Sequence, residues 1–289
     1  MRQTGFAGIV LGLLAVSANA QEAVTIKEGR PNVGDRVRVT KTDSMKTVVT
    51  VTVGGKTSTK DDPESKSIVY TDEVLAVGEG MRKPLKLKRT YEKYEVAKGG
   101  KVLPGPPLNT AIVIEKKESK YTYNAEGKTL DAAFVATLTK EFEEDANDPG
   151  AKELFPDKPV KPGDTWKVDL SKVGWLSGKD AKLAADLEKS ELTGKLVKAY
   201  KKDGKQFGVL EFTGSVTIKS LGEKSPVMVK PGSIMTFKMS GEGCIDGTAP
   251  SGKMTTLIEG TINGDVGENS LVVTMKGTNN SVSELLPKK

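Results

Sequence analysis

The sequence predicts a mainly β protein: one large antiparallel sheet, open or half-closed into a barrel, with two short-to-medium helices packed on it. Short runs of alternating β-branched and polar residues recur along the chain, separated by turn-forming Gly, Asp and Asn. Helical periodicity occurs in only two places. Because no helical crossover separates the strand-like runs, we expect an antiparallel sheet, built as one unit or as two related β halves.

Residues 1–20 have the pattern of a cleavable export signal. Arg2 supplies a positive start, Gly5 to Val16 are mostly apolar, and Ala18-Asn19-Ala20 ends the segment with small residues. The apolar part is shorter than the roughly 20 residues that a membrane-spanning helix needs. We therefore expect cleavage after Ala20 and a mature chain that is periplasmic or secreted, with no transmembrane segment.

The first predicted half covers residues 21–145. Alternating runs at Asp35–Thr40 and Lys46–Val53 lead to Gly54-Gly55, a pair suited to a tight hairpin turn, and the returning strand begins at Lys56. Further runs of the same kind complete this half: Ser67–Val77, Pro84–Ala97, Thr110–Lys116 and Lys120–Asn124. These runs predict a series of antiparallel hairpins.

The second predicted half covers residues 146–289. Its strand-like runs are separated by connections rich in Gly, Pro and Asp: Leu196–Tyr200, Gln206–Phe212, Ser215–Leu221, Ser233–Ser240, Met254–Ile262 and Leu271–Lys276. Two similar segments support a relationship between the halves, Arg30–Val39 and Lys158–Val168, each with a proline, a Gly-Asp turn and a strand. Convergent turn chemistry alone would also give this similarity.

The first predicted helix lies near residues 130–145. Leu130, Phe134, Leu138 and Phe142 are spaced four apart, which places them on one face. If this helix covers a cavity in the sheet, then Phe134, Leu138 and Phe142 contact the ligand. The second helix is expected near residues 178–190, where Ser177 is a candidate cap and Leu183, Ala184 and Leu187 would form its apolar face.

A basic patch is predicted just before the strand-like run Pro84–Ala97 and within it. It consists of Arg82, Lys83, Lys86, Lys88 and Arg89. An amphipathic strand explains the pattern without a ligand, because alternate side chains point to opposite faces. Recognition of an anionic surface or partner is the functional alternative.

Composition excludes several chemistries. The chain has no His and one Cys, Cys244, so Ser-His-Asp and Cys-His nucleophiles, His-ligated zinc and an internal disulfide are excluded within one chain. The acidic run Glu141–Asp148 does not complete a calcium-loop pattern, because Pro149 and Pro156 occupy two ligand positions. We therefore predict no metal and no cofactor. With a net charge of only +6 and 5% aromatic residues, we also predict no nucleic-acid partner.

The segment Lys158-Pro159-Val160-Lys161-Pro162-Gly163-Asp164-Thr165-Trp166 resembles a stretch found in a family of exported bacterial β-rich proteins of unknown function. In that family a proline-rich lead enters a strand through Gly-Asp-x-Trp. The resemblance implies an exported β-rich protein and no catalytic residue.

Three functional hypotheses remain. The first is an exported non-catalytic protein that binds a lipid or another hydrophobic ligand in the cavity of a β half-barrel, an interpretation that rests on analogy with exported carriers. The second is a structural or protein-interaction component of the cell envelope without a small-molecule ligand. The third is a carboxylate-based hydrolase, because a pair of carboxylates needs no fixed spacing in sequence.

The signal-peptide interpretation makes a direct prediction. N-terminal sequencing of the protein recovered outside the cytoplasm should read Gln-Glu-Ala-Val, starting at Gln21. Recovery of the uncleaved chain from the membrane fraction would contradict the interpretation.

Overall fold

One antiparallel sheet of 13 strands forms the protein. The computed structural model describes residues 22–79, 81, 83–144, 150–173, 176, 183–222 and 225–288. The strands follow the order β6-β5-β3-β2-β1-β13-β12-β11-β9-β8-β7, while β4 pairs with β3 and β10 with β12. The sheet is open, with β6 and β7 at its two ends. The predictions of a mainly β fold and of a large antiparallel sheet are thus confirmed.

The described residues of the first half include six strands and one α-helix. These are β1 (Arg36–Val53), β2 (Lys56–Ala76), β3 (Lys86–Lys98), β4 (Lys101–Val102), β5 (Ala111–Lys117), β6 (Lys120–Ala125) and α1 (Ala132–Glu144). Gly54 and Gly55 both have positive φ in the β1–β2 turn, as a tight hairpin requires.

The described residues of the second half include seven strands and two short 3-10 helices. The strands are β7 (Thr165–Lys167), β8 (Ala184–Lys202), β9 (Lys205–Ser220), β10 (Met228–Val229), β11 (Ile234–Cys244), β12 (Gly252–Val266) and β13 (Asn269–Leu286). The 3-10 helices are Gly150–Leu154 and Leu170–Lys172.

The prediction of a second α-helix near residues 178–190 is wrong where the structure describes it. Residues 177–182 lie outside the described residues, and from Ala184 onward the chain belongs to β8. A register shift between Asp186 and Glu191 produces a bulge. Within it Ser190 Oγ donates to the Asp186 carbonyl (2.6 Å) and accepts from the Thr217 amide (3.0 Å). Pairing with β9 therefore overrides the weak helical pattern.

The first helix is confirmed as α1. Asp131 caps it, since its Oδ1 accepts from the amides of Ala133 (2.8 Å) and Phe134 (3.2 Å). Its stripe packs on the aromatic residues of the sheet: Phe134 contacts Tyr91 and Tyr94, while Phe142 contacts Tyr121 and Tyr123. Within the described part of the chain, no helix is long and apolar enough to cross a bilayer.

One face of the sheet carries the buried core, and we call it the inner face. Under α1 the core includes Val37 and Val39 of β1. At the other end the segment 150–173 packs on Phe212 and Val216 of β9, with Leu176 in the same cluster. A third, smaller cluster centres on Leu196 and Ile245. The inner face is therefore covered by different elements at its two ends.

Two Gly-Asp turns have the same hydrogen bonds. The Asp35 carboxylate accepts from the Asn32 amide and the Asp164 carboxylate from the Lys161 amide, each at 2.8 Å. In both turns the glycine before the aspartate has positive φ and donates to the strand next along the chain: Gly34 to Val74 (2.9 Å) and Gly163 to Leu196 (2.7 Å). The two similar sequence segments thus begin β1 and β7 in the same way.

Trp166 anchors the second of these turns, and this gives a stability prediction. Its indole N–H donates to the Leu154 carbonyl (2.7 Å), and its ring packs edge-on against Phe212 and over Gly194. Trp166→Ala should lower the free energy of unfolding by about 3 kcal/mol in urea denaturation. Trp166→Phe keeps part of the packing and should cost less. An unchanged unfolding midpoint for the alanine variant would refute the anchoring role.

Candidate functional site

Residues 22–31 form a strap across the middle of the inner face. Val24 pairs with Val160 in both directions, at 2.8 and 2.9 Å. The Lys27 amide donates to the Ile245 carbonyl at 2.8 Å. The strap is therefore held by backbone hydrogen bonds to the second half of the chain.

Gly29 lets the strap pass close to the loop that follows β11. A Cβ at this position would overlap the backbone carbonyl of Ala249, so only glycine fits without a shift of the backbone. Two cavities lie beside this crossing, and Glu28, Gly29, Pro250 and Ser283 line both of them. The strap thus forms a shared wall between the two cavities.

The cavity on the side of the second half is mainly apolar and has a volume of about 350 Å³. Leucine, phenylalanine and methionine side chains form much of its wall: Leu154, Phe155, Leu210, Phe212, Met239 and Met254. Its floor includes Gly241, Gly243 and Gly252 on the inner face of β11 and β12. Because these glycines have no side chains, the backbone itself forms the floor and the cavity is deepened.

The cavity on the side of the first half is more polar than its neighbour and has a volume of about 330 Å³; we call it the polar cavity. Charged residues in its wall include Arg30, Asp72, Lys83 and Arg89. Phe142 of α1 lies in the same wall. This cavity therefore differs from its neighbour in chemistry although the two share the strap.

Arg89 is the buried charge of this region, with a side chain only 3% exposed. Its guanidinium makes a bidentate pair with Asp72 (2.7 and 2.8 Å) and a second pair with Glu141 of α1 (3.0 Å). The Tyr70 ring lies 3.9 Å from Arg89 Cζ. The guanidinium thus connects β2, β3 and the C-terminal part of α1.

These ion pairs decide the protonation of Glu141. Burial opposes ionisation of its carboxyl, but the positive charges of Arg89, Lys41 and Lys83 outweigh burial and lower its pKa to about 2. Burial also raises the pKa of Tyr91, which accepts a hydrogen bond from Arg89 (3.3 Å). The cluster is therefore ionised at Glu141 and Arg89 and neutral at Tyr91 around neutral pH.

The structure places the three predicted ligand-contacting residues in the core beneath α1. Phe134 and Leu138 are each 1% exposed, and Phe142 is fully buried. Phe142 alone among them lines the polar cavity, and none of the three lines the apolar cavity. Their packing against the sheet accounts for their apolar character.

The predicted basic patch is divided between surface and core. Lys86 pairs with Glu115 (3.1 Å) and Lys88 with Glu126 (3.7 Å), both partly exposed. Arg89 is not part of that surface, because strand alternation turns it to the inner face with Leu87. Lys83 lines the polar cavity, and Arg82 lies outside the described residues.

The walls of the apolar cavity were not singled out from the sequence. The sequence does contain a pattern that points to them. Met235, Phe237, Met239, Gly241 and Gly243 alternate with other residues, so all five fall on one face of a strand. The sequence alone does not show which face is covered. Among the described residues, no group of three or more His, Cys, Asp or Glu side chains is placed to hold a metal ion.

No family model and no curated protein matches this chain. Solved structures that are similar to it include the following two. A DUF1329 family protein from Desulfovibrio piger is 9% identical, with 82% of this chain and 83% of that chain covered and a TM-score of 0.13. The COG4313 outer membrane channel from Pseudomonas putida is 11% identical, with 91% and 100% covered and a TM-score of 0.19. Similarities this weak carry no functional argument.

The low pKa of Glu141 predicts a pH-dependent stability. A carboxyl whose pKa is lower in the folded than in the unfolded protein stabilises the fold above about pH 4.5, and this stabilisation is lost as the pH falls towards about 2. Glu141→Gln should therefore cost about 2–3 kcal/mol at pH 7 and much less at pH 2.5, measured by urea denaturation.

Glu115→Gln is the matched control. It removes a partly exposed carboxylate from its pair with Lys86, so it should change the free energy of unfolding by less than about 1 kcal/mol at pH 7. Equal losses for Glu141→Gln at pH 7 and pH 2.5 would show that the ion pair with Arg89 does not cause the effect.

Proposed function

We propose that this is an exported, non-catalytic binding protein that holds a lipid or another hydrophobic ligand in the apolar cavity beside the strap. Export rests on the signal-like residues 1–20. Binding rests on one observation above all: an apolar cavity of about 350 Å³ lies at the centre of the inner face. This volume is within the range of small-molecule sites.

The chemistry of the wall supports a hydrophobic ligand. Phe212 anchors the wall in the core, while Leu210 and Met239 are only half-buried. Covering half-buried apolar surface is favourable by about 25 cal/mol per Å². Methionine side chains also adapt to ligands of different shape, because they are unbranched and polarisable.

The two carboxylates that pair with Arg89 fit a structural role better than hydrolysis. Asp72 and Glu141 both bind the buried Arg89 guanidinium. The low pKa of Glu141 keeps it ionised, whereas a glycosidase acid must hold its proton near neutral pH. Their geometry therefore supports a non-catalytic protein.

A role in protein interaction within the envelope is the second candidate. The segment after β3 favours it, because Val102 is 81% exposed and Leu103 and Leu108 are also exposed beside three prolines. Such a role requires no ligand in the apolar cavity, so ligand-binding measurements separate the two candidates.

Binding of a fluorescent fatty-acid analogue tests the proposal. We expect micromolar or tighter binding, and lipid in solvent extracts of the purified native protein. Met239→Gln should weaken the binding about tenfold, since it places a polar amide in the apolar wall. Met228→Gln is the matched control, because Met228 is 64% exposed and does not line the cavity.

Circular dichroism and thermal unfolding should show that both variants remain folded. If the native protein carries no extractable lipid and does not bind the analogue at micromolar concentration, the ligand-binding proposal is wrong. Equal weakening by Met239→Gln and Met228→Gln would place the site elsewhere.

A further inference from the structure

We infer that the ligand is a single unbranched acyl chain, and that its distal part leaves the apolar cavity and lies along a furrow on the inner face of β11, β12 and β13. The furrow is formed by Met235, Phe237, Ile258, Gly260 and Met275. This inference rests on the proposed function and extends it, because it names the shape of the ligand and the second part of its site.

The furrow is continuous with the cavity. Met239 lines the cavity, and Phe237 and Met235 follow it on the same face of β11. At the rise of an extended strand, the four residue steps from Met239 to Met235 span about 13 Å. All three side chains are half-buried, so apolar surface extends without interruption out of the cavity along this strand.

A missing side chain shapes the far part of the furrow. Met235, Gly260 and Met275 lie directly opposite one another on three adjacent strands. The Cγ atoms of the two methionines lie 2.9 and 3.3 Å from the position that a Cβ of Gly260 would occupy. The two methionine side chains therefore lean over the glycine from both sides, and together they form a flexible apolar surface there.

The furrow has defined limits. At its far end Val227 packs against Gly264, four residues beyond Gly260 on the same face of β12. Towards β1 and β2 the inner face becomes charged, where Asp43 pairs with Lys66 (3.3 Å). A narrow apolar strip bounded in this way matches one chain lying parallel to the strands better than a broad or branched ligand.

The size of the cavity supports the same conclusion. About 350 Å³ is at the lower end of the range of small-molecule sites, so the cavity encloses only part of a long lipid. The remaining methylenes of a long chain would lie in water unless they found apolar surface. The furrow supplies that surface directly next to Met239.

A chain-length series tests the inference. Saturated fatty acids from 8 to 18 carbons displace the fluorescent analogue, each used below its critical micelle concentration. Affinity should rise about fourfold per methylene while the cavity fills, and about twofold per methylene along the half-open furrow. The double variant Met235→Gln/Met275→Gln should follow the wild type for short chains and stop gaining affinity for long ones.

Thr274→Gln is the matched control, since Thr274 is exposed on the opposite face of β13 next to Met275. It should reproduce the wild-type series. Two results would contradict binding along the furrow but leave the cavity proposal standing. The first is a wild-type affinity that stops rising with chain length once the cavity is filled. The second is a double variant that matches the wild type at every chain length. Failure of every chain to bind would overturn both.

A second comparison distinguishes a free fatty acid from an acyl chain that is part of a phospholipid. Palmitate and a lysophospholipid with the same chain share the chemistry that the furrow recognises. Tighter binding of either one supports the single-chain site and identifies the source of the chain. Equal or tighter binding of the corresponding two-chain phospholipid would contradict a furrow for one chain.

Discussion

The pairing of β1 with β13 is the constraint on which the rest of the structure depends. The two strands are in register from Arg36 opposite Leu286 to Thr52 opposite Ser270, so the beginning and the end of the chain meet in the middle of the sheet. Without this ladder the two halves would form separate sheets with exposed central edges. With it, one open sheet presents a single inner face that must be covered.

Each end of that face is covered locally. In the first half α1 lies on the aromatic side chains of the sheet, and in the second half the segment 150–173 packs on β9. The middle is left to the strap, which is held by backbone hydrogen bonds to Val160 and Ile245 and by the buried side chain of Ile26. The two cavities lie on either side of this narrow segment.

Burial of a charge fixes the arrangement of the first half. Arg89 would be costly to bury alone, yet Asp72 and Glu141 satisfy its guanidinium from a neighbouring strand and from α1. The pair between Arg89 and Glu141 ties α1 to β3, so it favours this docking of α1 on the sheet. A polar cluster beside an otherwise aromatic core thus has a structural role.

Local sequence determined the strands with clean alternation, the Gly54-Gly55 hairpin and the apolar stripe of α1, because period and turn chemistry are properties of neighbouring residues. The same rules failed where pairing partners matter. The sequence around Leu187 has a helical pattern, but it forms a strand because β8 pairs with β9. Arg89 was predicted to lie on the surface because its two carboxylate partners are distant from it in sequence. The apolar cavity depends on the strap crossing at Gly29 and on the register that brings Gly243 opposite Gly252. Such long-range contacts are decided by tertiary structure alone, since each residue in them has an ordinary local context.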